Sequence, residues 1–358
     1  MVNRGARTTL WCIIINFTMT LSFIIPFFNG GKYIKECLNS LYQKKILEEN
    51  FEVILVNDCS TDQQSLDVLY AYQKLHTNIK IIHNETNQRC GMCRNIGVQN
   101  AIGDYVWFVD QDDYIQPNCL AEIFKRCEAN NLDILYFDYL NVSDDLLLNK
   151  KMNLVKNDSS VMTGLDYIHT NCAGDFWHSE YDTNVWHAVY KRDFLINNNV
   201  FSPPVSYCED LIVAQHAIIV SQRFQAITKD YYCYRYNPSS VFNTQVGKKG
   251  RLIFDASIYA GTSLIKLSNL VDSNKYSDEK RTVYEGGIYR LNSFTKQIFK
   301  IPSKERKIFF EYILANQALI NDTFDSLSKV NKWILKHNQI CQKLPKVVYL
   351  LIKILKIK

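Results

Sequence analysis

Several signatures of common protein classes are missing from this sequence of 358 residues. No Gly-x-Gly-x-x-Gly pattern follows the first apolar segment, which argues against a dinucleotide-dependent dehydrogenase. No Arg-rich stripe with interleaved aromatic residues is present, and a net charge of +5 is too small to indicate a nucleic-acid partner. The composition is that of an ordinary globular protein, with 47% hydrophobic and 22% charged residues.

The 11 cysteines also lack the spacing of a disulfide framework, so we expect a reducing, cytoplasmic compartment. Cys90 and Cys93 form one C-x-x-C pair, but no second pair follows at a suitable distance. A structural zinc site needs four ligands. We therefore expect these cysteines to be ordinary reduced thiols.

The first 18 residues differ in character from the rest of the chain. Arg4 and Arg7 precede an apolar stretch at residues 10–17, which superficially resembles a signal peptide. Polar residues interrupt it, no small-residue cleavage site follows, and cleavage would destroy the strand predicted at residues 21–28. We expect Met19 to be the natural start and residues 1–18 to be a poorly ordered extension.

Apolar and amphipathic segments alternate along the next part of the chain. Strands are predicted at residues 21–28, 51–56, 79–83, 104–109, 133–140 and 224–236. Helices are predicted at 32–45, 63–75, 92–101 and 119–130, and from the Glu209-Asp210 pair to about residue 221. This alternation predicts an α/β fold with a mostly parallel central sheet flanked by helices, and ligands at the carboxyl ends of the strands. We expect one domain at 19–237 and a helical, more basic region at 238–358.

The strand predicted before Asp110 ends abruptly in carboxylates. Asp110, Asp112 and Asp113 follow an apolar run, and buried strands do not carry bare charges without a reason. One interpretation is a divalent-cation site, and the other is a solvated turn that caps the next helix. A second acidic loop, Asn57 and Asp58, follows a strand that should end at the same sheet edge, which favours a functional site.

Six short motifs, in order, then resemble glycosyltransferase family 2, whose fold is called GT-A. They are residues 21–29 (Leu-Ser-Phe-Ile-Ile-Pro-Phe-Phe-Asn), 56–62 (Val-Asn-Asp-Cys-Ser-Thr-Asp), 93–97 (Cys-Arg-Asn-Ile-Gly), 108–113 (Phe-Val-Asp-Gln-Asp-Asp), 209–210 (Glu-Asp) and 234–235 (Tyr-Arg). The resemblance covers residues 21–237. It implies a nucleotide-binding half at 19–115, an acceptor half at 116–237, and inverting transfer of a sugar from a nucleotide diphosphate sugar, with UDP as the expected nucleotide.

The resemblance also implies roles for individual residues in donor binding. Asp112 and Asp110 would hold a divalent cation, and Mg²⁺ and Mn²⁺ both suit such oxygen ligands. The remaining donor-binding candidates are Pro26, Phe27, Asn29, Asp58, Arg94, Gln111, Asp113 and Arg235. For four of them a structural alternative stays open: helix capping for Asp58 and for Asp113, a surface position for Arg94 and a salt bridge for Arg235.

Inverting transfer needs a general base for the acceptor hydroxyl. Asp210 is the first candidate and Glu209 the second, and the alternative is a plain acidic pair at a helix N-terminus. Sugar rings stack on aromatic faces, so Trp177, Trp186 and His187 are candidates for acceptor contact, although such side chains are commonly part of a core.

The basic, amphipathic segment 343–358 is too short in its apolar run to span a bilayer. It could lie on the inner face of the cell membrane near a lipid-linked acceptor, or pack against protein. The expected partners are therefore a nucleotide diphosphate sugar and a glycan or polyprenyl-linked acceptor in surface polysaccharide synthesis, with no nucleic acid. A nucleotidyltransferase and a non-catalytic sugar-binding protein are the alternatives.

Overall fold

The computed structural model describes residues 19–42, 50–143, 149–171, 184–205, 208–236 and 259–293. Its strands are β1 (Leu21–Phe27), β2 (Phe51–Asn57), β3 (Ile79–His83), β4 (Tyr105–Phe108), β5 (Tyr114–Ile115), β6 (Ile134–Val142), β7 (Asn149–Met152), β8 (Ala188–Lys191) and β9 (Phe224–Arg235). Its helices are α1 (Ile34–Leu41), α2 (Gln63–Leu75), α3 (Arg89–Asn100), α4 (Cys119–Asn130), α5 (Gly164–Asn171), α6 (Arg192–Asn197), α7 (Glu209–Val220), α8 (Ala260–Ser268) and α9 (Ser277–Ser293).

In the described part of the chain, all strands join one sheet in the order β3-β2-β1-β4-β8-β6-β9-β5, with β7 paired to β6. The four strands β3, β2, β1 and β4 run parallel to one another. Their carboxyl ends therefore lie on one edge, and the register pairs Phe27 with Asn57 at that edge. The predicted alternation of strands and helices and the shared edge of the two acidic loops are confirmed.

The second half of the sheet is mixed, and three of its strands, β5, β7 and β8, were not predicted. Strand β8 runs antiparallel to both β4 and β6 and so separates them. It is only four residues long and directly follows Trp186 and His187. Strand β9 returns parallel to β6 with a register shift near Asp138. The inserted strand lets a chain segment from the second half reach the centre of the sheet.

Each face of the sheet buries its own apolar cluster. Along β1, Phe23 and Ile25 belong to the cluster covered by α1, α2 and α4, whereas Ile24 belongs to the cluster covered by α3, α5, α6 and α7. This split follows from the alternation of side chains along a strand. Helix α3 lies very close to β1, since a Cβ added at Gly97 would overlap the Ile24 side chain.

The described part of the C-terminal region is helical, as expected, and it packs on the α/β domain. Leu264 and Val283, from α8 and α9, belong to the same apolar cluster as Ile24. Ala260 packs against Leu211 and Ile212 at the start of α7. Helix α7 is therefore buried on two sides, which explains why its sequence is apolar all round.

Some of the predicted features lie outside the described residues. They are the N-terminal extension at 1–18, the candidate acceptor residue Trp177 and the basic segment 343–358. Within the described ranges, no helix is long and apolar enough to cross a bilayer.

Candidate active site

Asn29 connects the loops that follow β1 and β2. Its side-chain oxygen accepts the backbone N–H groups of Thr61 and Asp62 at 2.9 and 3.0 Å. Its own backbone is left-handed, with φ of 47°, a conformation that asparagine tolerates better than most residues. Asn29 thus fixes the relative position of the first two loops at the sheet edge.

The loop of residues 110–113, here called the acid loop, is attached to the β1 loop through Gln111. The Gln111 amide accepts the backbone N–H of Phe28 at 2.9 Å and donates to the Phe28 carbonyl at 3.2 Å. Gly30 leaves room for this side chain, because a Cβ there would overlap the Gln111 Oε1. Gln111 was predicted to bind the donor, and the structure shows it bound to the chain itself.

Phe28 is an aromatic side chain at this edge that the sequence interpretation missed. Its ring is 45% exposed, whereas Pro26 and Phe27, the two residues predicted to frame the base, are buried in the strand. Phe27 belongs to the core under α1. Alternation along β1 could have revealed this, since Phe23, Ile25 and Phe27 share one face. The aromatic surface available to a base is that of Phe28.

Asp58 is buried, 4% exposed, and already accepts three hydrogen bonds. The donors are the backbone N–H groups of Gln88 and Arg89, at 2.7 and 2.8 Å, and the side-chain amide of Asn84, at 2.8 Å. Helix α2, which follows Asp58, is capped by Asp62 instead. Asp58 therefore holds the start of α3 against the β2 loop.

Arg94 lies at the centre of the acidic groups. One of its terminal nitrogens donates to Asp110 at 2.7 Å, and the other forms a short contact with Asp210. The Glu209 carboxylate is 4.0 Å away. Arg94 is 3% exposed, so it is not the surface arginine of the alternative interpretation. It joins the acid loop to the N-terminus of α7, across 116 residues of sequence.

Helix α3, which carries Arg94, also holds the segment that leads into α7. The Asn95 side chain accepts the backbone N–H of Ser202 at 2.8 Å and donates to its carbonyl at 2.7 Å. Gly91 lets the two elements approach, because a Cβ there would lie 3.0 Å from the Glu209 Cγ. The residues that place Glu209 and Asp210 in the site are thus Gly91, Arg94 and Asn95.

The environment of Asp210 alters its proton affinity. Burial raises the pKa of Asp210 to about 8, although the Arg94 guanidinium acts in the opposite direction. The negative charges of Glu209 and Asp110 add to the upward shift of the pKa. A carboxyl with a pKa near neutrality is well matched to the task of taking a proton from a hydroxyl group.

Asp113, in contrast, is a buried structural acceptor. It accepts the hydroxyl of Tyr232 and the backbone N–H of Arg235, both at 2.7 Å. Burial raises the pKa of Asp113 well above its usual range, and the charges of Asp112 and Asp110 act in the same direction. The following helix α4 begins after Asn118, so Asp113 is not its N-cap.

Arg235 makes the salt bridge that the sequence left open as an alternative. Its guanidinium pairs with Glu36 of α1 and donates from Nε to the Asp112 carbonyl at 2.9 Å. It also lies over the rings of Tyr33 and Tyr114, at 5.0 and 5.3 Å. Arg235 therefore ties the acid loop to α1, and its contact with a diphosphate stays a prediction.

The two aromatic acceptor candidates in the described residues are part of the core. Trp186 is 2% exposed and lies between the rings of Tyr232 and Tyr234, at 4.5 and 5.4 Å. His187 is fully buried, with Nδ1 at 3.1 Å from the Phe137 carbonyl. Their burial does not support contact with an acceptor, because a packed side chain presents no face to a soluble sugar.

The acid loop offers oxygen ligands to a divalent cation, but no complete ligand set. Among the described residues, no group of three or more His, Cys, Asp or Glu side chains is arranged to hold a metal ion. Asp112 is half-buried, and Asp110 is paired with Arg94. Mg²⁺ is commonly held by one or two carboxylates together with substrate phosphates. The two aspartates fit a cation that arrives with a diphosphate.

A cavity of about 610 Å³ lies elsewhere, at the amino ends of the strands. Phe51, Ile79 and Gly103 contribute to its wall, and its charged lining residues are Glu52 and Lys80. The acidic groups around Arg94 lie instead at the opposite, carboxyl ends of β1, β2 and β4. We place the site at the carboxyl edge, where the titratable groups converge and where open α/β sheets bind their ligands.

The sequence is similar to those of known glycosyltransferases. Residues 22–194 match the family model described as Glycosyl transferase family 2. The chain is 28% identical over 226 residues to EpsJ, an uncharacterized glycosyltransferase of Bacillus subtilis, covering 62% of each chain. It is 39% identical over 220 residues to TarS of Staphylococcus aureus, a poly(ribitol-phosphate) beta-N-acetylglucosaminyltransferase, covering 60% of this chain and 35% of TarS. The chain thus spans less than two thirds of the length of either relative.

The fold has solved counterparts as well. The crystal structure of residues 1–349 of S. aureus TarS in complex with UDP-GlcNAc matches 90% of this chain and 87% of that chain, with a TM-score of 0.63 and 21% identity. A second crystal structure of the same TarS fragment matches this chain with a TM-score of 0.61. The predicted GT-A fold is confirmed. The motif order and the fold agree with this family match, which covers residues 22–194.

Proposed function

We propose that this protein is an inverting glycosyltransferase that moves a sugar from a UDP-sugar to a hydroxyl group of a glycan or lipid-linked acceptor in surface polysaccharide synthesis. The observation that carries the proposal is the position of Arg94 between Asp110 and Asp210. This arrangement brings a carboxylate suited to donor binding and a carboxylate suited to proton transfer to the same point of the sheet edge.

On the donor side, the exposed ring of Phe28 offers a stacking surface for the base, beside the loop that Asn29 fixes. Asp110 and Asp112 would hold a divalent cation bound to the diphosphate. Such a cation would stabilise the negative charge that develops on the leaving diphosphate. We keep Mn²⁺ and Mg²⁺ as equal candidates, since both bind carboxylate oxygens.

On the acceptor side, Asp210 takes the proton of the attacking hydroxyl. The hydroxyl oxygen forms a bond to the anomeric carbon of the sugar, the bond from that carbon to the diphosphate breaks, and UDP leaves with the electron pair. Attack from the face opposite the diphosphate inverts the configuration. Arg94 keeps the Asp210 carboxylate pointed at this place and balances its charge.

UDP release from a panel of UDP-sugars, with and without Mn²⁺, tests this proposal. UDP-GlcNAc is the first donor to try and poly(ribitol phosphate) the first acceptor, because TarS is described with both. Sugar transfer with release of UDP supports the proposal. Release of pyrophosphate from a sugar phosphate and a nucleoside triphosphate would instead indicate a nucleotidyltransferase, and tight binding without turnover a sugar-binding protein.

The proposal includes peripheral contact with the cytoplasmic face of the membrane through residues 343–358, whose lysines would face anionic lipid headgroups. Co-sedimentation with vesicles of phosphatidylglycerol, compared between the full chain and a chain ending at residue 342, checks this part. Equal sedimentation of the two proteins would contradict it without affecting the proposed reaction.

A further inference from the structure

Strand β9 contacts the acid loop through Tyr232, a residue outside the six sequence motifs. The backbone N–H of Asp110 donates to the hydroxyl oxygen of Tyr232 at 3.0 Å. The same hydroxyl donates its own proton to Asp113 at 2.7 Å. A hydroxyl that accepts one hydrogen bond and donates another has a defined orientation, and its two partners are held at a fixed separation.

We propose that Tyr232 is a positioning residue, whose hydroxyl sets the direction in which the carboxylates of Asp110 and Asp112 meet the donor diphosphate. This inference rests on the proposed function, because it assigns the acid loop to the donor. Tyr232 itself is fully buried and does not touch the substrate. It acts through the main chain of the loop, at the first of the four loop residues.

The ring of Tyr232 cannot shift to follow the loop, because it is packed on a rigid support. It stacks on Trp186 with centroids 4.5 Å apart and an angle of 16° between the planes. The Trp186 carbonyl accepts the indole N–H of Trp107 at 2.7 Å, and Trp107 lies on β4, the strand that leads into the acid loop. The support and the loop are therefore parts of one packed unit. Trp186, which was predicted to contact the acceptor, instead packs against the ring of Tyr232.

Strand β9 holds the other end of the acid loop as well. Arg235, three residues after Tyr232, donates from its backbone N–H to Asp113 and from Nε to the Asp112 carbonyl. The loop is thus fixed at the Asp110 N–H, at the Asp113 carboxylate and at the Asp112 carbonyl. These contacts fix the backbone from which the side chains of Asp110 and Asp112 project. The Tyr232 hydroxyl makes two of them, with the Asp110 N–H and with the Asp113 carboxylate.

The test compares Tyr232→Phe with Tyr231→Phe, the same chemical change at the neighbouring residue. Tyr231 belongs to the same apolar cluster as Tyr232 but lies beside Glu122 of α4, and it is also buried. The first measurement is amide hydrogen exchange of the metal-free protein, followed in peptides that contain residues 109–114. Without its acceptor, the Asp110 amide should exchange about tenfold faster in Tyr232→Phe, and at the wild-type rate in Tyr231→Phe.

The second measurement is the affinity for UDP in the presence of Mn²⁺, by calorimetry. Tyr232→Phe should weaken it about three- to tenfold, a loss of the size expected for one hydrogen bond, and Tyr231→Phe should leave it unchanged. Unchanged exchange or unchanged UDP affinity in Tyr232→Phe would overturn the proposal, and so would equal effects of the two substitutions. If Tyr232→Phe does not fold, Asp113→Asn replaces it. The carboxylate of Asp113 accepts from both the Tyr232 hydroxyl and the Arg235 backbone N–H, whereas the side-chain amide of asparagine would turn its own N–H towards one of these two donors.

The result is separable from the proposed function. If the wild-type protein binds UDP with Mn²⁺ but releases UDP from no sugar donor, the proposed transfer fails while the role of Tyr232 in donor binding is still decided. If wild-type protein does not bind UDP at all, both fail together, and faster exchange in Tyr232→Phe would then report only a packing role.

Discussion

The two halves of the sheet contribute to the site in different ways. In the parallel half, β1, β2 and β4 each end at the same edge and deliver a polar loop there, and neighbouring loops bond to one another through Asn29 and Gln111. In the mixed half, the contributing groups come from a helix terminus and from strand β9. They reach the first half through long-range contacts, chiefly those of Arg94 with Asp210 and of Tyr232 with the acid loop.

This difference assigns different tasks to the halves. The parallel half is fixed by hydrogen bonds between neighbouring loops at one sheet edge, which suits the binding of a donor of constant shape. The mixed half adds the proton-transfer group and the supports, and its position depends on contacts between residues far apart in the sequence. Substitutions that cut those contacts should therefore affect catalysis more than substitutions within the parallel half.

The largest expected effect is that of Asp210→Asn. Loss of the general base should lower sugar transfer by about 10²–10⁴-fold, while the affinity for UDP stays near that of the wild type, because the parallel half is untouched. Turnover and UDP calorimetry measure the two quantities. Glu209→Gln is the matched control, since Glu209 lies at the same helix N-terminus but 4.0 Å from Arg94. Equal losses in both variants would contradict the assignment of the base to Asp210.

The second effect is that of Arg94→Gln, which removes the ion pairs between the halves. Two carboxylates, on Asp110 and Asp210, would lose their partner, and breaking a buried pair in this way costs about 3–5 kcal/mol. Urea unfolding at pH 9, above the pKa of about 8 for Asp210, measures the change with both carboxylates ionised. Arg126→Gln is the control, because Arg126 pairs with Glu122 one turn away at the surface and should cost less than about 1 kcal/mol. Similar costs for the two arginines would show that Arg94 does not join the halves.

These residues also show what can be predicted from the sequence. Asp58 and Asp110 were placed at the site because each follows a strand predicted to end at the carboxyl edge, and Arg94 was placed there by the resemblance to glycosyltransferase family 2. Sequence position does not reveal what they bond to, since the partners of Arg94 lie 16 and 116 residues away. Both its ion pairs depend on the tertiary packing of α3 against α7 and the acid loop.

Two other elements show a stricter limit. Tyr232 is one of several tyrosines in residues 231–236, and nothing in the local pattern distinguishes the one whose hydroxyl reaches the acid loop. Strand β8 was missed because a strand of only four residues gives too short a pattern. In contrast, the position of Phe28 could have been inferred, because strict alternation puts Phe27 in the core.

The third effect is a dependence of kcat/KM on pH, which we expect from Asp210 in the mixed half. Asp210 acts as a base only when deprotonated, and its pKa of about 8 predicts that kcat/KM rises about tenfold per pH unit from pH 6 towards 8 and is constant above it. The groups around Asp210 are Arg94, Glu209, Asp110, Cys90 and Tyr190. Burial raises the pKa of Cys90 and that of Tyr190, which keeps both side chains neutral there. A flat profile between pH 6 and 9 would contradict this environment.

The smallest effect tests the contact between α3 and the segment that leads into α7. Asn95→Ala removes two hydrogen bonds to Ser202, whose backbone groups would be left without their partner, and should cost about 1–3 kcal/mol in urea unfolding. Asn100→Ala is the control on the same helix, because Asn100 bonds to Lys80 and to the preceding helical turn. Its cost should stay within about 0.5 kcal/mol.

Asn95→Ala also separates stability from catalysis. At a temperature where the variant is fully folded, the Glu209–Asp210 segment has lost its attachment to α3 through Asn95 and keeps the ion pair with Arg94. Turnover should fall several-fold while the KM for the donor stays constant, because the loops of the parallel half are held by their own contacts through Asn29 and Gln111. A rise in that KM with unchanged turnover would mean that α3 serves the donor side alone, and the division between the two halves would then be wrong.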